Sequence, residues 1–241
     1  MTVIDKRFKM DDHKSEWNKS YENKDNFVFY PHEEIIRFVS KNIRKQVGLD
    51  MYEDIHRATN VPRILDLGCG IGRHVIYCNS MGLDAYGVDL STEAITFAAD
   101  WATSSGMKNV NEKIKNGDIR NLCWDDGFFD YVVSHGVLDS MSYDIAKRAC
   151  TEVARIIKPN GLFYCDVISG DDSAHCREFS GEEIVETTHE NGTVQLYFNF
   201  SMLKSLFEDL FEIVECNLIR RENVIHGKFT SRYHLVLKSK V

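Results

Sequence analysis

One glycine-rich stretch constrains the fold of this chain more than any other. Residues 63–74 read RILDLGCGIGRH, an apolar run that contains an aspartate and leads into three glycines at alternate positions. An apolar run, a glycine turn and the start of a helical pattern predict a buried parallel strand, a tight turn and a helix N-terminus. Glycines there let a ligand approach the backbone closely, and the helix N-terminus offers unpaired N–H groups. The stretch therefore predicts a ligand-binding turn in an α/β fold.

Two departures from the dinucleotide-binding pattern narrow the choice of ligand. Counted from Gly68, that pattern requires a third glycine at position 73, and this chain has Arg73 there. Asp66 would also place a negative charge beside a pyrophosphate, so Arg73 and Asp66 disfavour an NAD-dependent oxidoreductase. A carboxylate beside a glycine turn instead suits a ligand with an ammonium or sulfonium group. The stretch resembles motif I, D-x-G-x-G-x-G, of the class I S-adenosylmethionine (SAM) dependent methyltransferases.

This resemblance implies roles for the residues of the glycine turn. The aspartate that precedes the turn is expected to face the charged groups of SAM, and the turn is expected to contact the cofactor through its backbone. The residues that the resemblance assigns to cofactor binding here are Asp66, Gly68, Cys69, Gly70 and Gly72.

A second acidic residue follows the next predicted strand, residues 84–89. Asp89 lies at the carboxyl end of that strand, the edge at which open α/β sheets bind their ligands. A carboxylate there can accept hydrogen bonds from both ribose hydroxyls, and Leu90 beside it is expected to contact the cofactor. The alternative is that Asp89 caps the next helix, a role for which Ser91 competes.

The segment N-G-D-I-R at residues 116–120 resembles the G-D motif of the same family. In that family the aspartate accepts a hydrogen bond from the adenine amino group, and the next backbone N–H meets a ring nitrogen. The resemblance therefore implies cofactor contacts for Asp118 and Ile119. Asn-Gly and Gly-Asp are also common turn sequences, so an ordinary turn is the alternative.

The fourth predicted strand, residues 128–134, leads into the loop 135–141. In the family this strand end lies between cofactor and substrate, so Ser134 is expected to contact SAM. His135 is the candidate general base, because imidazole can take a proton near neutral pH if the acceptor is a hydroxyl. Asp139 could orient His135 or contact the substrate. The alternative is a loop histidine that only packs or binds backbone.

A polar leader, residues 1–26, precedes a predicted amphipathic helix at residues 32–46. Trp17 and Tyr21 stand at helical i, i+4 spacing in this leader, and Tyr30 follows them. In the family that the chain resembles, such a leader often closes over the cofactor. Tyr21 and Tyr30 are therefore further candidates for cofactor contact, in a lid that excludes water from the reaction.

The order of elements predicts a single methyltransferase domain over residues 1–241, with a leader and helix at 1–48 and an insertion near the substrate at 170–198. The resemblance implies a doubly wound, mostly parallel sheet of seven strands that ends in an antiparallel hairpin. The predicted strands are 64–67, 84–89, 110–115, 128–134, 162–168, 211–219 and 231–238, with a further pair at 183–188 and 193–198 in the insertion.

Composition excludes several other classes of protein. The net charge is -8, from 29 basic and 37 acidic residues, and no basic run accompanies it, which argues against a nucleic-acid binder. No apolar stretch reaches the roughly 18 residues of a membrane span, and the charged start is unlike a signal peptide. The 7 cysteines lack C-x-x-C spacing, which favours reduced thiols in a cytoplasm and no metal site. The chain is expected to be a monomer or a homodimer.

The sequence predicts a SAM-dependent methyltransferase that acts on an oxygen or nitrogen of a small-molecule acceptor and releases S-adenosylhomocysteine. Residues 134–137 lack the Asp/Asn-Pro-Pro-aromatic loop of the adenine-methylating branch, and the chain has no Pro-Cys pair of the cytosine-methylating kind. The alternative is a non-catalytic SAM-binding sensor or partner subunit that has the same fold.

Overall fold

A seven-stranded mixed sheet lies at the centre of the computed structural model, which describes residues 13–56, 60–175, 178–187 and 190–240. The strand order is β10-β11-β7-β6-β3-β4-β5, and only the pairs β10–β11 and β11–β7 are antiparallel. This is the predicted sheet, with its antiparallel hairpin at one edge. The strands are β3 Arg63–Leu67, β4 Asp84–Asp89, β5 Ile114–Asn116, β6 Phe129–His135, β7 Ile157–Ile168, β10 Phe211–Asn223 and β11 Lys228–Ser239.

Helices cover both faces of the sheet, because its central strands are apolar on both sides. Along β3, Ile64 belongs to one buried cluster, while Leu65 and Leu67 belong to the other. Helices α2, α3 and α4 contribute to the first cluster, and α6 and α7 contribute to the second. The helices are α1 Lys14–Glu22, α2 Glu33–Asn42, α3 Arg73–Ser80, α4 Thr92–Ser104, α5 Val110–Lys113, α6 Tyr143–Ile156 and α7 Phe200–Phe207.

The predicted helix 32–46 is shorter in the structure and is followed by a hairpin. The chain leaves α2 at Asn42 and forms β1 Arg44–Gly48 and β2 Met51–Asp54, which pair antiparallel. Arg44 accounts for the change, because it pairs with Asp54 across the hairpin and donates to the backbone carbonyls of Met81 and Gly82. Tertiary contacts of one side chain therefore override the helical pattern of the segment.

The predicted third strand, 110–115, is also wrong in its first part. Residues 110–113 form the short helix α5, and only residues 114–116 pair with β4 as the edge strand β5. The polar run after the buried Val110 lacks the alternation that a half-buried strand needs, and Asn109 begins the turn with a positive φ of 56°.

The insertion forms the predicted pair of strands, although both are shorter than expected. They are β8 Gly181–Ile184 and β9 Val194–Tyr197, which pair antiparallel. The backbone N–H of Leu196 donates to the carbonyl of Asp139 at 2.8 Å, so the insertion lies against the loop that follows β6.

The leader lies across α4. Asn18 in α1 accepts hydrogen bonds from the Ser91 hydroxyl and from the backbone N–H of Thr92. Residues 1–12 of the predicted leader lie outside the described residues. Within the described segments, no helix combines the length and the apolarity that a membrane crossing requires.

Candidate active site

A cavity opens at the carboxyl edge of the parallel strands, between the glycine turn after β3, the ends of β4 and β6, and the leader. Ligands of open α/β sheets bind at this edge. Of the residues predicted to contact the cofactor or the substrate, the cavity is lined by Tyr21, Gly68, Cys69, Gly70, Asp89, Leu90, Asp118, Ile119 and His135. Other lining residues include Trp17, Asn26, Arg73, His74, Val137, Met141 and Glu190.

The glycine turn forms a narrow cradle in this cavity. Gly68 and Gly70 have positive φ values of 71° and 52°, which side chains rarely adopt. A Cβ at Gly68 would lie 2.5 Å from the Val137 side chain, and one at Gly70 would lie 2.6 Å from the Tyr21 hydroxyl. Gly72 lies outside the lining, and a Cβ there would meet the Ala98 side chain of α4 at 3.2 Å. Close packing of α3 on α4 therefore explains this glycine.

Asp89 ties the second strand to the glycine turn. Its buried carboxylate accepts from the backbone N–H groups of Gly70 and Ser91, each at 2.8 Å. Burial raises the pKa of Asp89 to about 6, against the lowering effect of these two hydrogen bonds. Ser91 caps α4 by accepting from the backbone N–H of Ala94. Because another residue supplies the cap, the geometry leaves Asp89 available to a ligand in the cavity.

Asp66 lies beneath the turn and does not line the cavity. Its side chain is only 3% exposed, and within the described part of the chain its Oδ2 atom has no hydrogen-bond partner. The His74 imidazole lies close to it, with Nδ1 3.5 Å from Oδ2. Ser134 is similar, since it is buried outside the lining and its hydroxyl has no partner among the described residues. Buried polar atoms without a partner are uncommon in folded proteins, so a bound polar molecule or water is expected to satisfy these two.

Asp118 faces the cavity but is already held by a neighbouring side chain. Arg120 binds both of its carboxylate oxygens, and the Arg120 backbone N–H donates to Oδ1 at 2.8 Å. Burial favours a raised pKa for Asp118, but the hydrogen bonds and charge of Arg120 outweigh it and lower the pKa. The carboxylate therefore stays ionised and keeps lone pairs for a further donor.

His135, the last residue of β6, is bonded to an aspartate at the end of the neighbouring strand. Its Nδ1 forms a short hydrogen bond with Oδ2 of the buried Asp166 in β7. Arg232 in β11 donates to the other oxygen of Asp166 at 2.6 Å. Burial would raise the pKa of Asp166, but the bonds from His135 and Arg232 lower it well below its usual range. Asp166 therefore stays ionised and fixes the ring of His135.

The prediction that Asp139 orients His135 requires correction. Asp139 is buried and outside the lining, where it accepts from Arg232 at 2.7 Å and from the backbone N–H of Ile168 at 2.7 Å. Asp139 follows His135 by four residues, but the extended strand end and the turn after it keep the two side chains apart. Pairing of β6 with β7 instead sets His135 directly opposite Asp166. Asp139 thus acts on the site through Arg232.

Three further histidines surround His135. The ring of His32, which precedes α2, stacks on His135 with 4.0 Å between centroids, and His74 meets His135 edge-on at 5.8 Å. His234 lies 6.1 Å from His32 and shares a 2.8 Å hydrogen bond with the Tyr164 hydroxyl. Burial, followed by the charge of His135, lowers the pKa of His32 to about 4, so this neighbour of His135 is neutral at pH 7.

Possible ligand atoms of His32, His135 and Asp166 lie within 4.8 Å of one another, which raises the question of a metal ion. The two rings are only 27° from parallel, so their nitrogen lone pairs do not converge on one point. In addition, Nδ1 of His135 is bonded to Asp166, and His32 uses its Nδ1 to accept from the backbone N–H of Glu34. The arrangement suits proton transfer better than metal coordination.

Two of the three aromatic residues predicted for the lid, both in the leader, reach the cavity. Trp17 and Tyr21 line it, whereas Tyr30 is 83% exposed and lies outside the lining. The backbone carbonyl of Tyr30, and not its ring, faces inward and accepts from Arg73 at 3.4 Å. Pro31 follows Tyr30, and His32 after it stacks on His135 and caps α2.

Sequence reasoning missed Asp166, Arg232 and His32. Asp166 could have been found, because it lies near the carboxyl end of the predicted parallel strand 162–168. That strand is next to the strand that carries His135. Arg232 comes from the antiparallel hairpin and His32 is the N-cap of α2, and no local pattern places either residue near the site.

Part of this sequence is similar to the sequences of known methyltransferases. Residues 65–165 match the methyltransferase domain family. A putative methyltransferase of Bacillus subtilis, YqeM, is 36% identical over 111 residues, which are 44% of this chain and 42% of that protein. The demethylmenaquinone methyltransferase of Staphylococcus aureus is 26% identical over 152 residues, 61% of this chain and 55% of that protein. The alignments therefore cover about half or less of these relatives.

Solved structures share the fold at low identity. A SAM-dependent methyltransferase from Methanosarcina mazei superposes with a TM-score of 0.60 and 22% identity, over 76% of this chain and 94% of that one. The 1,6-didemethyltoxoflavin N1-methyltransferase of Burkholderia thailandensis was solved with S-adenosylhomocysteine. It superposes with a TM-score of 0.56 and 19% identity, over 76% of this chain and 72% of that one. Residues 65–165 thus match a methyltransferase domain, and the chain has the fold of the class I SAM-dependent methyltransferases.

Proposed function

We propose that this protein transfers the methyl group of SAM to a small-molecule acceptor, and that the acceptor atom is a hydroxyl oxygen. The observation that carries the choice of oxygen is the His135–Asp166 pair at the cavity wall. A hydroxyl must lose its proton as it becomes a nucleophile, and a histidine held by an ionised carboxylate is suited to accept it. Transfer to an amine nitrogen remains the second candidate, because an amine needs no such base once it is neutral.

The residues around the cavity fit the cofactor of the class. Gly68 and Gly70 keep the turn free of side chains, Asp89 presents a carboxylate to the cavity, and the buried Oδ2 of Asp66 has no hydrogen-bond partner within the described segments. SAM, when bound, would supply a methyl carbon on a positively charged sulfur, to which the acceptor lone pair bonds as the carbon–sulfur bond breaks and S-adenosylhomocysteine leaves. The protein then has to hold two molecules in line, which can contribute up to about 7–11 kcal/mol.

His135 performs the proton transfer in this proposal. Asp166 accepts from Nδ1–H of the ring, which leaves the Nε2 lone pair to take the acceptor's proton. The imidazolium that forms is stabilised by the ionised Asp166, while Arg232 keeps that aspartate charged. The stacked His32 stays neutral, so no second positive charge opposes the proton on His135.

A small acceptor is supported by the enclosure of the cavity. The leader contributes Trp17, Tyr21 and Asn26 to its wall, and the insertion contributes Glu190, which accepts from Asn26 at 3.2 Å. Two segments that are distant in the sequence therefore meet over the opening. The chain's net charge of -8 also gives no support to a polyanionic acceptor such as a nucleic acid.

The test combines binding with turnover. Calorimetry with S-adenosylhomocysteine is expected to show binding, and labelled SAM is expected to transfer its methyl group in a screen of small hydroxyl, amine and carboxylate metabolites. Binding without any transfer would favour the alternative of a non-catalytic SAM sensor. Transfer to amines only would remove the role of His135 as a base for a hydroxyl.

A further inference from the structure

The turn of the β10–β11 hairpin presents two adjacent aliphatic side chains to solvent. Val224 is 91% exposed and Ile225 is 87% exposed. The turn itself is ordered, because the Asn223 side chain accepts from the backbone N–H of Ile225, and the Asn223 carbonyl accepts from the N–H of Gly227. Turns are ordinarily built from polar residues and glycine, so two successive aliphatic residues at the apex are not required by the turn. Their exposure indicates a contact with something outside the chain.

This turn projects from the edge of the sheet at which the cavity opens. Strand β11 pairs with β7 as far as Ile168, the carboxyl end of β7, and the hairpin rows formed by residues 220–223 and 228–231 lie beyond that point. The base of the projection is fixed, since Ser173 bonds both the N–H and the carbonyl of Phe229. The fold therefore holds the two aliphatic side chains away from the body of the protein, on the cavity's edge of the sheet.

A cationic collar, Arg220, Arg221 and Lys228, surrounds the two aliphatic residues. Arg220 is paired with Glu222, whereas across the described ranges no carboxylate lies within 4.0 Å of Arg221 or Lys228. Residues 220–228 contain three cations and one carboxylate, although the whole chain has a net charge of -8. Local charge dominates at a contact, because charges farther than about 10 Å away are screened in moderate salt. The projection is therefore apolar at its tip and cationic behind the tip.

This distribution matches the surface of an anionic lipid bilayer. Aliphatic side chains are stable at the boundary between headgroups and acyl chains, and basic side chains behind them are attracted to the lipid phosphates. A protein partner fits the tip less well. Two side chains on a convex turn cover far less than the roughly 800 Å² that each partner buries in a stable complex.

We propose that the β10–β11 turn docks the protein on anionic lipid bilayers as a peripheral contact. Val224 and Ile225 enter the headgroup boundary, and Arg221 and Lys228 bind lipid phosphates. The contact needs no membrane-spanning helix, and it does not depend on the proposed methyl transfer. Because the turn and the cavity share one edge of the sheet, docking turns that edge toward the lipid surface.

Cosedimentation with vesicles tests the inference without cofactor or acceptor. The unaltered protein is expected to bind vesicles of phosphatidylcholine and phosphatidylglycerol at least about tenfold more tightly than vesicles of phosphatidylcholine alone. The double variant Val224→Asp/Ile225→Asp should lose at least about tenfold in affinity for the anionic vesicles, because carboxylates replace the inserted side chains. Arg221→Gln and Lys228→Gln should each weaken binding about fivefold, since each removes one attraction to the lipid phosphates.

Leu49→Asp is the matched control, because it places the same charge at another exposed hairpin tip. Leu49 is 93% exposed at the turn between β1 and β2, and that hairpin lies beside Met81 and Gly82, at the opposite edge of the sheet. Its residues 44–54 contain two cations and three carboxylates, so it has no excess of positive charge. Leu49→Asp should bind anionic vesicles as tightly as the unaltered protein does.

Absence of binding by the unaltered protein, or equal binding by the double variant, would overturn the inference. If the turn instead joins two copies of the chain, sedimentation without lipid will show a dimer that the double variant splits, and that result also rejects the lipid contact. Circular dichroism checks that each variant is folded, and the two glutamine variants provide the test if the double variant is not. Failure of the proposed methyl transfer would leave all of these measurements unchanged.

Discussion

At the scale of single residues, the site depends on carboxylates whose charge is set by burial and by their donors. Asp89 and Asp166 show the two opposite outcomes. Burial raises the pKa of Asp89 to about 6, whereas His135 and Arg232 overcome burial at Asp166 and lower its pKa. One aspartate is therefore close to protonation before a ligand arrives, and the other stays charged throughout.

For Asp89 we predict that binding depends on its charge. Asp89→Ala should weaken binding of S-adenosylhomocysteine by about 1.5–3 kcal/mol, because hydrogen bonds to a charged acceptor are lost. Affinity of the unaltered protein should also fall as the pH drops through about 6, since the protonated group accepts fewer hydrogen bonds. Calorimetry between pH 5 and 8 measures both effects. Asp100→Ala, an exposed change on α4, is the control, and a variant at Asp89 with unchanged affinity would refute the assignment.

For His135 we predict an effect on turnover and not on cofactor affinity. His135→Ala should lower turnover roughly 10²–10⁴-fold if the acceptor is a hydroxyl, because general-base catalysis is lost. Asp166→Asn should act in the same direction, since an amide neither fixes the ring tautomer nor stabilises the imidazolium. His226→Ala, in the exposed hairpin tip, is the matched control.

The measurement for His135 is the pH profile of turnover once an acceptor is known. The unaltered protein should lose rate as the pH falls, because a protonated imidazole cannot accept a second proton. The alanine variant should lose that limb of the profile. Equal turnover and an identical profile in both proteins would leave positioning as the whole of the catalysis.

At the scale of elements, the leader and residues 27–29 after it are held by contacts that a strand or helix pattern does not show. Two phenylalanines pack edge-on against rings of α4. The ring centroids of Phe27 and Phe97 lie 4.7 Å apart, and those of Phe29 and Trp101 lie 5.1 Å apart. Together with the bonds that Asn18 accepts, these rings hold α1 next to the cavity. Aromatic pairs of this kind contribute about 0.5–1.5 kcal/mol each beyond area burial.

We therefore predict that the leader is a lid that the cofactor stabilises. Removal of residues 1–29 should leave a folded sheet, because the described leader contributes no strand to it, but most turnover should be lost with the Trp17 and Tyr21 wall. Limited proteolysis should cut the leader of the intact protein more slowly when S-adenosylhomocysteine is present. A truncated protein with full turnover, or a cleavage rate that the ligand leaves unchanged, would contradict the lid.

At the scale of the whole molecule, the sequence was informative wherever local pattern decides structure. The order of strands and helices, the glycine turn and Asp89 followed from periodicity, glycine chemistry and the rule for ligand edges. The hairpin β1–β2 could not be predicted in this way, because it depends on contacts of Arg44 with residues 54, 81 and 82. The contact between His135 and Asp166 could not be predicted from spacing either, because strand pairing brings the two residues together.

The histidine cluster makes the stability of the whole molecule depend on pH. His32 is half-buried and His234 is buried, and burial is the first cause that lowers the pKa of each. Because the pKa of His32 is lowered to about 4 in the folded state, His32 binds fewer protons there than in the unfolded chain between about pH 4 and 6.5. Its contribution to stability is present above that range and is lost as the pH falls. Asp89 acts in the opposite sense, because its pKa is raised.

The variant His32→Asn isolates one member of this cluster. Asparagine can replace the histidine as the N-cap of α2, where the His32 ring now accepts from the Glu34 backbone N–H, but it does not titrate. Between pH 7 and 4.5 the unaltered protein should lose more stability than the variant, by on the order of 1 kcal/mol after allowance for the partial exposure of His32. Urea unfolding at both pH values gives the two free energies of unfolding. If the difference in the free energy of unfolding between the two proteins is the same at pH 7 and at pH 4.5, the fold does not hold His32 neutral. His135 then takes up its proton next to a ring that can also be charged.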